Sequence, residues 1–179
     1  AVTFSYSGGT STGLFSGVTD NADGTYTATL TGQTSGTSSQ IAGLVSGVTL
    51  TSAKPSLIVV PGGVSVSNST LTVGSATINS GNSTAVTLTT KDSNGNLITS
   101  GVTGVLSYSG GTSTGTLAAI VDNGNGTQTS SFTGIISGTA ATLSATVNGS
   151  VLTSTLPTVL VNPGGISAAT STLAASLAT

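Results

Sequence analysis

The stretch YSGGTSTG stands at residues 6–13 and again at residues 108–115. Its return after 102 residues (Tyr108 minus Tyr6) marks an internal repeat, and the same offset holds along the rest of the chain. Asp20-Asn21 returns as Asp122-Asn123, Gly24-Thr25 as Gly126-Thr127, and Ser35-Gly36-Thr37 as Ser137-Gly138-Thr139. Pro61-Gly62-Gly63 maps to Pro163-Gly164-Gly165, and Ser69-Thr70-Leu71 to Ser171-Thr172-Leu173. A solenoid unit is roughly 20–50 residues long, so a period near 100 suits tandem β-sandwich domains instead.

Composition agrees with β-structure. Charged residues make up 3% of the 179, with a net charge of −2, no His and no Cys. An average soluble protein has about 25% charged residues. Disorder pairs high charge with low hydrophobicity, whereas this chain is 36% hydrophobic. No apolar run approaches the roughly 20 residues of a membrane helix, so no membrane insertion by this segment is expected. Two lysines offer no basic surface for phosphate backbones, which excludes nucleic acid as a partner. Without cysteine there is neither a disulfide framework nor a thiolate metal site.

Period-2 alternation appears in residues 70–78, 84–90, 102–108, 115–121, 127–133, 139–147 and 151–155, the last extended by 158–161. Turn signals such as SGN, DSNGN, SGGTS, DNGNG and NGS separate them. The expected fold class is therefore all-β: tandem Ig-like β-sandwich domains of about seven antiparallel strands each. Val86 and Leu88, and Ala141, Leu143, Ala145 and Val147, form the expected inward faces. Residues 1–64 read as the C-terminal portion of a domain lacking its first two strands, and 65–165 as a complete domain. Residues 166–179 read as the first strand of a following domain or as a donor strand for a neighbouring chain. Two readings follow: a segment of a longer array, or copies that complete one another.

The segments AVTLTTKDSNGNLITSGVTGVLSYSGG, VDNGNGTQTSSFTG and ISGTAATLSATVNG resemble the bacterial Ig-like group 1 domains of invasin/intimin-type surface adhesins. VTDNADGTYTATLTGQTSGTSS in the first copy is similar to the second half of the same family. The resemblance covers most of residues 71–149 and residues 2–47. It rests on a K-D-x-N-G-N turn, an S-G-G turn and a D-N-x-x-G-T hairpin in fixed order. Gln128 departs from it, standing where Tyr26 fills the usual aromatic position. The resemblance implies extracellular stalk modules strung in tandem.

The candidate sites are few. Paired glycines in SGGT supply the left-handed backbone of a tight corner, with Tyr6 and Tyr108 as apolar anchors beside it. Asp20 and Asp23 in DNADG, and Asp122 and Asn125 in DNGNG, form oxygen-rich turns. They read as hairpin turns whose Asx side chains bond their own backbone, with calcium as the alternative occupant. Asp92-Ser-Asn94-Gly-Asn96 resembles half of a calcium loop but lacks its later acidic residue. Lys91, Asp92 and Lys54 read as solvated turn residues rather than partners in an isopeptide crosslink. Catalysis has no titratable pair to use: Asp20 and Asp122 sit in equivalent places of successive domains, and strands of seven residues alone span roughly 23 Å. The chain is read as not an enzyme, with no catalytic residue, no cofactor and no metal beyond the calcium candidates.

The expected function is structural: a repeat module of an extracellular or cell-surface fibre, stalk or filament, with itself as partner in a tandem array or homopolymeric fibre. The linkers VPGG (60–63) and NPGG (162–165) would end one sheet at Pro and set the angle to the next domain through their glycines. The alternative is an adhesin module that binds a host receptor or carbohydrate through sandwich loops.

Overall fold

The computed structural model describes residues 1–175, and its regular structure is entirely β. In the first repeat lie β1 (Val2–Ser7), β2 (Thr12–Phe15), β3 (Thr19–Asp20), β4 (Tyr26–Thr27), β5 (Leu30–Thr34), β6 (Ser39–Val45), β7 (Val48–Thr49) and β8 (Ser56–Leu57). In the second lie β9 (Thr70–Val73), β10 (Thr77–Asn79), β11 (Ser83–Thr89), β12 (Gly104–Ser109), β13 (Thr114–Leu117) and β14 (Val121–Asp122). It is completed by β15 (Thr127–Ile136), β16 (Ala141–Val147), β17 (Ser150–Val151) and β18 (Thr158–Asn162). Among the described residues no helix is long and apolar enough to cross a membrane.

The second repeat closes as a sandwich. One sheet runs β9-β11-β15-β13 with β14 also on β15; the other runs β10-β18-β16-β12 with β17 also on β16. The alternation in the sequence decides which residues meet between them. Val86 and Leu88 of β11 and Phe132 of β15 join Leu143, Ala145 and Val147 of β16 and Val159 and Val161 of β18 in one core. None of these is more than 1% exposed. Burial of a side chain of this size contributes about 1.5–3 kcal/mol. Tyr108 packs edge-on against Phe132 with ring centroids 5.3 Å apart.

Two strand expectations need correction. Residues 70–78 do not form one strand. β9 pairs antiparallel with β11, whereas β10 pairs in parallel with β18, so the chain changes sheets in between. The crossing is fixed by Gly74 N–H on the Ala85 carbonyl (2.9 Å), Ser75 N–H on Thr84 Oγ1 (2.7 Å) and Leu160 N–H on the Ala76 carbonyl (2.8 Å). Residues 115–121 likewise divide into β13 and β14, so short strands outnumber the expected seven, and the sheets include one parallel pair.

The first repeat is open. Its sheets are β1-β6-β7 with β8 on β6, and separate β2-β5 and β3-β4 pairs. Among the described residues, nothing lies against β5 where β11 lies against β15. The counterpart of the ten-residue β15 is broken into β4 and β5. The core thins accordingly: of the thirteen buried hydrophobic residues among those described, Ala42 alone belongs to the first repeat.

Residues 166–175 contain a turn at 168–170 and no strand. The strand expected there has no β11-like neighbour to bond, and residues 176–179 of that expectation lie outside the described residues.

Candidate functional site: the joint between the repeats

The repeated stretch that opens the sequence builds a corner. Gly8 and Gly9 (φ +63° and +59°) and Gly110 and Gly111 (φ +70° and +63°) occupy the left-handed region, where a side chain costs roughly 1–2 kcal/mol. A Cβ on Gly9 would overlap the Ser38 carbonyl, and one on Gly111 the Ala140 carbonyl. Tyr6 donates its hydroxyl to the Gly13 carbonyl at 2.9 Å, and Tyr108 to that of Gly115 at 2.7 Å.

Across the corner, Thr10 N–H bonds Thr37 Oγ1 (3.0 Å) while Thr37 N–H bonds Thr10 Oγ1 (2.8 Å). Thr112 and Thr139 repeat the exchange at 2.9 and 2.8 Å. Buried Ser11 and Ser113 accept the N–H groups of Val59 and Val161, each at 3.0 Å. Gly36 and Gly138 donate back to the same two residues' carbonyls at 3.1 Å. The repeated pieces YSGGTSTG and SGT are thus two halves of one corner, bonded to the residue just ahead of each linker, Val59 or Val161.

The next repeat docks on this corner. The carboxamide of Asn96 donates through Nδ2 to the Gln33 carbonyl at 2.8 Å and accepts Ser35 N–H through Oδ1 at 2.9 Å. A carbonyl at one residue and an N–H two residues on is the pair that the N–H and C=O of a single residue meet in an adjacent parallel strand. Asn96 therefore continues the sheet of the first repeat with a side chain of the second.

Asp92 holds that side chain in place. Its Oδ1 accepts the N–H groups of Asn94 and Asn96, and its Oδ2 accepts Gly62 N–H and Asn96 Nδ2, each at 2.9 Å. Burial pushes the carboxyl pKa up, but these donors, with Gly62 first among them, outweigh it and hold the value at about 2. The reading of Asp92 as a solvated turn residue is corrected: it is 2% exposed, inside the joint. Lys91 is half-buried and Lys54 exposed.

The turn at 65–69 braces the same loop from behind. Ser65 N–H bonds the Lys91 carbonyl at 2.8 Å, and Lys91 N–H bonds Ser69 Oγ at 3.0 Å. Asn68 Nδ2 donates to the carbonyls of Asp92 (3.1 Å) and Ser93 (3.0 Å). Neither Gly62 nor Gly63 has a left-handed backbone, and Gly62 acts through its N–H on Asp92.

The oxygen-rich turns bond mainly to themselves. Asp20 Oδ1 accepts Ala22 N–H at 2.9 Å, and Asp23 Oδ1 accepts Thr25 N–H (2.9 Å) and Thr25 Oγ1 (2.6 Å). The Thr25 hydroxyl, then its amide, hold the Asp23 carboxyl below the ordinary carboxylate pKa. Asp122 Oδ1 accepts Gly124 N–H at 2.9 Å and Asn125 Oδ1 accepts Thr127 N–H at 3.0 Å. These four residues stay in their own hairpins and are not brought to the joint.

A family model, invasin domain 3, matches residues 65–164. The chain belongs to that family. Its folds agree with invasin-type adhesins. InvD of Yersinia pseudotuberculosis superposes with a TM-score of 0.63 at 26% identity, covering 97% of this chain and 50% of that one. The Escherichia coli adhesin FdeC gives 0.60 at 26% identity, covering 92% and 52%. Invasin, a bacterial integrin-binding protein, gives 0.54 at 20% identity, covering 90% and 32%, and shares the fold alone. The chain thus spans about half the length of the first two. No curated protein sequence matches it. In this invasin-type pair of Ig-like units the joint was hidden from the sequence. The bonds Gly62–Asp92 and Ser35–Asn96 cross 30 and 61 residues, and DSNGN reads as an ordinary turn.

Proposed function

We propose that the chain is a load-bearing repeat module of an extracellular, cell-surface stalk or fibre, its Ig-like units joined head to tail. The observation that carries this reading is the Asn96 carboxamide bridging Gln33 and Ser35 while Asp92 takes Gly62 N–H. The turn residues of one unit are spent on holding the previous unit, which suits a stiff spacer. Membership in an adhesin-domain family and likeness to FdeC and InvD support the surface location. In this reading the protein is not an enzyme, and the Asp20/Asp23 and Asp122/Asn125 turns need no cation, so EDTA leaves the melting temperature unchanged. Antibodies raised against the chain should label intact source cells; labelling confined to permeabilised cells would contradict the location.

A finer form of the proposal is strand exchange between copies, supported by the open edge of β5 and by Leu173, which is fully exposed where its counterpart Leu71 is buried. Concentration-dependent oligomers that Leu173→Asp dissolves are expected, and a monomer at all concentrations would exclude it. Binding of a host receptor or carbohydrate is the second reading, favoured by the family's adhesins. A glycan array and a panel of host-cell extracts test it, and silence on both leaves the spacer role alone.

A further inference from the structure

The second unit ends in the same corner as the first, and the offset of 102 maps Gln33, Ser35 and Gly62 onto Ile135, Ser137 and Gly164. Its frame is complete: the Thr112/Thr139 exchange, Val161 N–H on Ser113 Oγ and Gly138 N–H on the Val161 carbonyl are all formed. Yet among the described residues neither Ser137 N–H nor Gly164 N–H bonds any acceptor, whereas Ser35 and Gly62 N–H bond Asn96 and Asp92. The Ile135 carbonyl accepts Ser80 Oγ and no other side chain among the described residues, whereas Gln33 receives Asn96. Ile135 and Ile136 are 52% and 58% exposed.

The brace is built as well. Ser171 N–H bonds the Ser167 carbonyl at 3.0 Å, as Ser69 N–H bonds that of Ser65 at 2.9 Å. In the first joint this turn clasps the backbone of residues 91–93 and Ser69 is fully buried. Its counterpart Ser171 is exposed, beside Leu173.

We propose that residues 135–137, Gly164 and the 167–171 turn form a docking surface for the Asp-x-x-x-Asn turn of a following Ig-like unit. The recognition chemistry is that of the first joint: one carboxamide bridging the Ile135 carbonyl and Ser137 N–H, and one ionised carboxylate taking Gly164 N–H. A second copy of the chain cannot lend its own turn while Asp92 and Asn96 are engaged within it, so the occupant is a following unit whose turn is free. The proposal rests on the head-to-tail reading and extends it to the far end of the second unit.

The test appends residues 78–165 after Thr179, which continues the offset of 102 into a third unit with its own copies of Asp92 and Asn96. Amide exchange at Ser137 and Gly164 is read by NMR, with Ser35 and Gly62 as internal references. Exchange at Ser137 and Gly164 should slow at least about tenfold on extension, and Asp92→Ala in the appended copy alone should restore fast exchange at Gly164. Asp92→Asn in that copy is the parallel variant should the alanine variant unfold the appended unit. Fast exchange at Ser137 and Gly164 with Ser35 and Gly62 protected overturns this proposal and leaves the first joint intact. Fast exchange at all four overturns the head-to-tail reading itself.

Discussion

Asp92 is a carboxylate that folding needs ionised. Its pKa is held at about 2 against an ordinary value of 3.8. A folded value below the unfolded one means that the contribution is complete above about pH 4 and is lost as pH falls toward 2. Denaturant midpoints measured from pH 6 to pH 2 should drop over that window, and Asp92→Asn should flatten the drop. At neutral pH, Asp92→Ala should cost about 1.5–3 kcal/mol, the scale for hydrogen bonds to a charged group. Position 104 is a second residue-level case. A Cβ on Gly104 would overlap Gln128 Oε1 and come within 2.8 Å of Leu88 Cδ2. Gly104→Ala should therefore overpack the core and cost about 1–3 kcal/mol in a thermal melt. The sequence displays Val2 and Tyr26 in one copy against Gly104 and Gln128 in the other. That the two changes share one space against Leu88 is visible only in three dimensions. The SGGT glycines were fully legible, because a left-handed backbone leaves few alternatives to Gly.

At the scale of elements, alternation located the inward faces of β11 and β16 but not the places where strands change sheets. Residues 70–78 carry apolar side chains at 71 and 73 and then at 76 and 78, so the alternation changes phase across Gly74, but a phase change alone carries no information about which neighbour a strand bonds. The offset of 102 places no counterpart of β9, β10 or β11 within residues 1–64, and β5 has fewer strand neighbours than β15 among the described residues. β15 pairs with β11 on one side and β13 on the other, whereas β5 pairs with no strand but β2 among the described residues. Amides of β5 should exchange with solvent at least about tenfold faster than those of β15. Equal protection in the isolated chain would mean that some other segment covers the edge of β5.

For the whole molecule, the two units meet through side chains of one turn on the backbone of another. Such a joint is directional in a way that apolar contact is not. Its chemistry was illegible because Asp92 and Asn96 find their partners far away in sequence, while the residues that looked like a site, Asp20, Asp23, Asp122 and Asn125, bond within their own hairpins. The chain has no cysteine, so spin labels can be introduced singly on each unit, at the exposed positions Thr19 in β3 and Ser109 in β12. The distance distribution between those labels, measured by pulsed electron resonance, should be narrow in the native chain. It should broaden in the Asp92→Ala/Asn96→Ala double variant, with each unit still folded. A distribution equally narrow in both would contradict a joint held by Asp92 and Asn96.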